Sequence, residues 1–178
     1  MKETPSQLPF PSFVMNFPFS FSTENPNNIW MQEMSSEELK VNRGKAYKQF
    51  MDLYNFMAGQ SLVHLLPAEG NFQDLIYVAN LGLQLPHICD DNHILLSNYT
   101  SPPRKGEEFV GEKFFNQMGY KTKISPYKWE GEADIKYLYD NVYIGGYGIR
   151  SNIKTYEWME ENFDMKIIKV AMVDEYMY

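Results

Sequence analysis

The chain has 178 residues, 44% of them hydrophobic and 22% charged, the balance of one globular domain with a substantial core. Its 23 acidic and 16 basic residues leave a formal charge of −7, the wrong sign for a protein that works by neutralising phosphates, which argues against a nucleic-acid partner. The single cysteine, Cys89, rules out an intramolecular disulfide and a cysteine-rich metal site and points to a reducing cytoplasm; no apolar run reaches the roughly 20 residues that span a bilayer, and the first residues lack the apolar stretch of a secretion signal.

Along the chain, residues 1–16 are rich in Pro, Ser and Phe without a period and read as an extended arm. Ser35 and Glu38 form a capping-box pattern, and a helix is expected over 36–57, with Ala46, Phe50, Leu53, Tyr54 and Met57 on one side and Gly59 ending it. Residues 61–66 make a short apolar strand stopped by Pro67. The apolar stretch 75–85, broken by Gly82, reads as one bent strand or two, and 93–99 as another strand. After the Pro102, Pro103 and Gly106 loop, a helix over 107–118 places Val110, Phe114 and Met118 at steps of four, with Gly119 as its left-handed stop. Strand 120–124 follows, then a hairpin of 135–139 and 141–146 turning at Asp140 and Asn141, a third helix over 152–163 and a strand over 166–173. Strand, helix, strand thus recurs at a spacing of roughly 50 to 60 residues, the signature of supersecondary units arranged in an array or ring. Most of the 28 aromatic side chains (13 Tyr, 12 Phe, 3 Trp) serve such units as core filling.

Three polar segments lie at strand ends and loops, where sites are usually carried. In the first, Asp74 precedes the apolar run from Leu75, as a solvated turn residue or as a functional carboxylate. The second, 129–134 (WEGEAD), sets Glu130, Glu132 and Asp134 around Gly131; the carboxylates suit a cation or a guanidinium, the glycine permits close backbone approach, and Trp129 offers an aromatic wall. The third, 145–152, is glycine-rich but lacks the spacing of a phosphate-binding loop, so Arg150 reads as a carboxylate clamp or a structural ion pair. His64 sits in an apolar strand and reads as a core histidine. His87 and His93 flank Cys89, Asp90 and Asp91 at a spacing that matches no metal motif, and no metal or cofactor is expected.

Taken in order, 73–83 (QDLIYVANLGL), 103–107 (PRKGE), 129–134 (WEGEAD) and 146–152 (GYGIRSN) resemble the guanidino-group modifying enzymes: amidinotransferases, arginine deiminases and dimethylarginine dimethylaminohydrolases. Residues 25–28 (NPNN) are a looser match to the family's opening loop. The resemblance implies an α+β fold, the pentein or α/β propeller, built of five ββαβ units around a central channel, with about three units in this chain, at 17–178. It also implies a thiolate that attacks the guanidinium carbon, a histidine that protonates the leaving amine, and a covalent amidino-enzyme resolved by water or by another amine. By motif matching, Asp74 grips the guanidinium and Glu130 holds substrate or orients the histidine. Asp134 is a further partner, Arg150 binds a substrate carboxylate and Asn152 holds the turn. The family pattern has glycine where this chain has Ala133, which leaves open whether Glu130 or Glu132 faces the channel. The family's histidine and cysteine fall beyond Tyr178, and Cys89 does not match the latter in position. The chain is therefore expected to be an N-terminal portion inactive by itself, prone to self-association through open propeller edges. The alternative is a catalytically dead pentein that binds a guanidino ligand or a protein.

Overall fold

Three helices long enough to cover a sheet, each carried between two parallel strands, organise the chain. The computed structural model describes residues 4–69, 72–88 and 92–176; Met1, Lys2, Glu3, Gly70, Asn71, Cys89, Asp90, Asp91, Met177 and Tyr178 lie outside the described residues. In the first unit β1 (Ser12–Asn16) pairs in parallel with β2 (Leu62–Leu66), and the short α1 (Ile29–Gln32) and long α2 (Arg43–Ala58) lie between them. The second unit has sheet order β3 (Gly82–Gln84), β4 (His93–Leu96), β5 (Lys121–Ile124), with α3 (Glu107–Gln117) crossing from β4 to β5. The third repeats it with β6 (Ile135–Tyr139), β7 (Val142–Tyr147) and β8 (Lys166–Ala171), and α4 (Ile153–Phe163) crossing from β7 to β8. In both complete units the first strand is antiparallel to the second and the third is parallel to it, so each is a ββαβ unit, as expected.

Packing follows the same repeat. Val110 and Phe114 of α3 reach Leu66 of the first sheet, while Phe115 and Met118 lie against Ile94, Leu96 and Tyr120 of the second. Tyr156 and Met159 of α4 pack between Leu83 and Leu95 of the second sheet and Ile135, Tyr143 and Ile167 of the third. Strand β4 is therefore covered on both faces, which is why Ile94, Leu95 and Leu96 are apolar in succession rather than alternating. Gly119 ends α3 with φ 90°, the left-handed stop read from the sequence.

Four local expectations are corrected. The Ser35–Glu38 capping box forms, the carboxylate 2.9 Å from the Ser35 amide, yet it closes a separate turn; α2 starts only at Arg43, capped by the Asn42 side chain, which accepts from the Lys45 amide at 2.9 Å. Leu53, read as part of the buried stripe of that helix, is exposed. Residues 75–85 are not a strand throughout: a turn and a 3-10 turn (Val78–Asn80) precede the three-residue β3. Leu75, Leu81 and Leu83 still go to the core, so the run is apolar for burial rather than for pleating. Finally, residues 12–16 of the expected arm are the strand β1, whose pairing partner lies 50 residues away in sequence at Leu62–Leu66.

Candidate functional site

The polar residues that interrupt these apolar runs converge on a cavity of about 260 Å³. The loop before α1 brings Asn27, the turn before β3 brings Asp74 and Asn80, the turn before α3 brings Arg104, and the third unit brings Glu130 and Arg150. Phe21, Trp30 and Tyr77 form an aromatic rim, with Phe21 and Tyr77 in edge contact at 6.3 Å. A larger cavity of about 550 Å³, bordered by β1, β3 and Tyr120, has among the described residues Glu132 as its one carboxylate and no such convergence of charge.

Asp74 is only 6% exposed. Its Oδ2 accepts from Asn27 Nδ2 at 2.6 Å and from Gln73 Nε2 at 3.3 Å, and Gln73 is itself tied to Asn25. Glu130 follows Trp129, whose backbone bridges to Asn98 just past β4, and precedes Gly131. That glycine has φ 66°, and a Cβ there would stand 2.6 Å from the Asn80 carbonyl, so only glycine lets the two backbones meet. The close approach places Asn80 Nδ2 3.3 Å from Glu130 Oε2. The Asn80 carbonyl also accepts from the Ser97 and Tyr99 hydroxyls.

Arg104, 5% exposed, joins these pieces. Its Nε and Nη2 form a fork on Glu107, with Nη2 2.8 Å from Oε2; Nη2 also reaches the Asp74 carbonyl at 3.4 Å, and Nη1 stands 3.6 Å from Glu130 Oε2. The Tyr99 ring lies under the guanidinium at 4.5 Å, a cation–π contact. Glu107 opens α3, where the helix dipole favours a carboxylate. Arg150 approaches Glu130 with Nε at 3.8 Å but is held mainly by Asp134, at 2.6 Å from Nε and in a second contact through Nη2.

Burial decides the protonation chemistry. It pushes the carboxyls of Asp74 and Glu130 above their ordinary values, against the pull of Gln73, Arg104 and Asn27 on the first and of Arg104 and Arg150 on the second. Glu107 is pushed up to about 7 by burial, against its bond to Arg104. For Arg104 burial works downward, but Tyr99, Glu107 and Glu130 together carry it above its ordinary value, so it stays a cation. The Tyr99 hydroxyl is carried well above its ordinary range by burial.

Of the residues singled out in the sequence, Asp74, Glu130 and Arg150 line one cavity. Asp134 does not: it borders a neighbouring cavity and is occupied by Arg150 and the Ser151 hydroxyl, so it acts on the site through Arg150. Glu132 is on the surface, paired with Lys136 at 3.0 Å; of the two glutamates, Glu130 is the one at the cavity. Trp129 is no wall of the site, being fully buried in the core between the second and third units. Asn152 caps α4, accepting from the Lys154 amide at 2.9 Å. His87 is structural: Nε2 donates to the Phe163 carbonyl and Nδ1 accepts from Tyr143, both at 2.8 Å. His64 is half-buried on β2, with Nε2 lacking a partner among the described residues. No group of three or more metal-ligating side chains occurs among the described residues. Sequence reading passed over Arg104, Glu107, Asn27 and Asn80, although the stretches PRKGE, NPNN and QDLIYVANLGL contain them.

No protein-family model matches the chain. It is 26% identical over 174 residues, 93% of its length, to the bifunctional arginine dihydrolase/ornithine cyclodeaminase AgrE of Nostoc sp.. It is 21% identical over 166 residues to the N(G),N(G)-dimethylarginine dimethylaminohydrolase of Mycobacterium tuberculosis. The chain spans 23% of the first relative and 52% of the second. In structure it superposes on AgrE in complex with ornithine and NAD+ with a TM-score of 0.81 at 26% identity, covering 94% of this chain and 24% of that one. On the product-bound N-terminal domain of ArgZ, a cyanobacterial arginine dihydrolase, the TM-score is 0.80 at 25% identity, covering 94% and 59%. Two successive ββαβ units, their charged cavity and these likenesses over nearly the whole length of the chain agree: it has the pentein fold and is similar to enzymes that modify guanidino groups.

Proposed function

We propose that the cavity binds the guanidinium group of arginine or an arginine derivative, and that the whole protein is an amidino hydrolase. One observation carries the reading: two buried carboxylates from different units, Asp74 and Glu130, border the same small cavity beside two arginines. A guanidinium is planar, permanently charged and presents its donors as a fork, so carboxylates on its edges grip it while leaving the central carbon open to a nucleophile. Arg150, at the mouth of the turn before α4, suits the carboxylate of an amino-acid substrate. Water as the final acceptor, rather than an amine, is supported by the relatives, which are named as hydrolases. Asp74, Glu130 and Arg150 on this cavity supply the substrate grip; among the described residues neither a histidine nor a cysteine borders it. The single cysteine favours a cytoplasmic setting, and among the described residues no helix is long and apolar enough to cross a membrane.

Calorimetric titration of the chain with L-arginine tests this. Saturable binding is expected, weakened in Asp74→Ala by about ten- to a hundredfold, the loss of a charge-assisted hydrogen bond of roughly 1.5 to 3 kcal/mol. Equal affinity in the variant removes Asp74 from the site.

A further inference from the structure

We propose that binding of a guanidinium at this cavity is coupled to the release of a proton from the buried carboxylates Asp74, Glu107 and Glu130. The inference rests on the reading of the cavity given above and follows from counting charges. Asp134 and Arg150 neutralise each other, with the Ser151 hydroxyl completing the carboxylate's contacts. Arg104 is then, among the described residues, the one guanidinium shared by Asp74, Glu107 and Glu130, and it is unequally shared. Its fork is spent on Glu107, Glu130 has its Nη1 at 3.6 Å, and Asp74 meets it only through a backbone carbonyl at 3.4 Å. The donors on the Asp74 carboxylate are the neutral amides of Asn27 and Gln73.

Three buried carboxylates against one shared cation cannot all stay ionised without a large desolvation cost, and a proton is the cheapest neutraliser. The other groups facing the cluster do not remove the excess. Tyr77 from the turn before β3 and Tyr99 from the loop after β4 are held above their ordinary values and remain neutral. The 25–28 loop brings amides, Arg150 stands 3.8 Å from Glu130 but is engaged by Asp134, and Glu108, next along α3, is turned to the Gly106 amide at 2.8 Å. All three carboxylates are shifted upward by burial. Because they are coupled, the proton belongs to the cluster rather than to one residue. An arriving guanidinium brings the charge that the proton had supplied, and the O–H bond breaks with the proton leaving to solvent. Proton and cation therefore compete: affinity rises with pH, by up to about tenfold per unit, until the cluster is fully ionised.

The test is titration calorimetry of the chain with L-arginine at about pH 6.5 in two buffers that differ in ionisation enthalpy. A difference in observed heat corresponding to about half to one proton released per arginine bound is expected. In Glu107→Gln, with folding checked by circular dichroism, one negative charge is gone and the number released should fall by at least half. Saturable binding with the same heat in both buffers overturns the coupling while leaving the binding site standing. An unchanged proton count in Glu107→Gln overturns the assignment to this cluster. Absence of saturable binding at any pH overturns the site reading and the coupling together.

Discussion

Arg104 shows how much one buried cation organises: it gathers two acidic side chains and a backbone carbonyl from three separate stretches of chain. Its principal partner makes folding sensitive to pH. With Glu107 at about 7 in the folded protein, against 4.5 as its ordinary value, the folded state holds more proton than the unfolded one between those limits. Its contribution to stability is complete below about pH 4.5 and is lost as pH rises through about 7. Urea denaturation of the chain is expected to show stability falling by on the order of 2 kcal/mol across that window, with a shallower slope in Glu107→Gln. A stability that rises over the same range would contradict it. Asp74 and Glu130 were legible in the sequence because carboxylates beside apolar runs stand out. Arg104 was not, since an arginine between Pro103 and Lys105 reads like any solvated loop, and only burial distinguishes it.

At the scale of elements, two 3-10 turns rather than regular strands present the site. Val78–Asn80 carries Asn80, and Gly131–Ala133 begins just after Glu130, with the backbone of Gly131 pressed on that of Asn80. Gly131→Ala should therefore strain the backbone and separate the turns. A loss of about 2 kcal/mol or more is expected in thermal or chemical denaturation, with weaker arginine binding as Glu130 moves; wild-type stability in this variant would show that the turns do not depend on the contact. The close approach at Gly131 was readable from its place between acidic residues. The short β3 was not, because Leu75, Leu81 and Leu83 would satisfy a strand or a buried turn equally well.

Across the whole molecule, α3 and α4 each lie between their own sheet and the sheet of the preceding unit. Among the described residues that arrangement leaves apolar side chains exposed at both ends of the repeat: Leu53 and Phe56 on α2, 53% and 65% exposed, and Ile168 and Val170 on β8, 52% and 41% exposed. Patches of this kind promote association. Light scattering of the chain is expected to give a mass that climbs with concentration above the 20.9 kDa of one copy, and Phe56→Glu combined with Ile168→Lys should lower it. A constant monomer mass over the same range would mean that these faces do not associate.

What the sequence determined by itself was the repeat, the presence of its three longer helices and the acidic residues worth watching, because amphipathic period and glycine stops are local properties of a few adjacent residues. Which strands pair across 50 residues of chain, that Asp134 serves Arg150 rather than the cavity, that Trp129 belongs to the core, and that Arg104 and Glu107 form the buried link were decided only by tertiary structure. Those outcomes depend on which groups are removed from water together, and desolvation is a property of the packed molecule rather than of any stretch of its sequence.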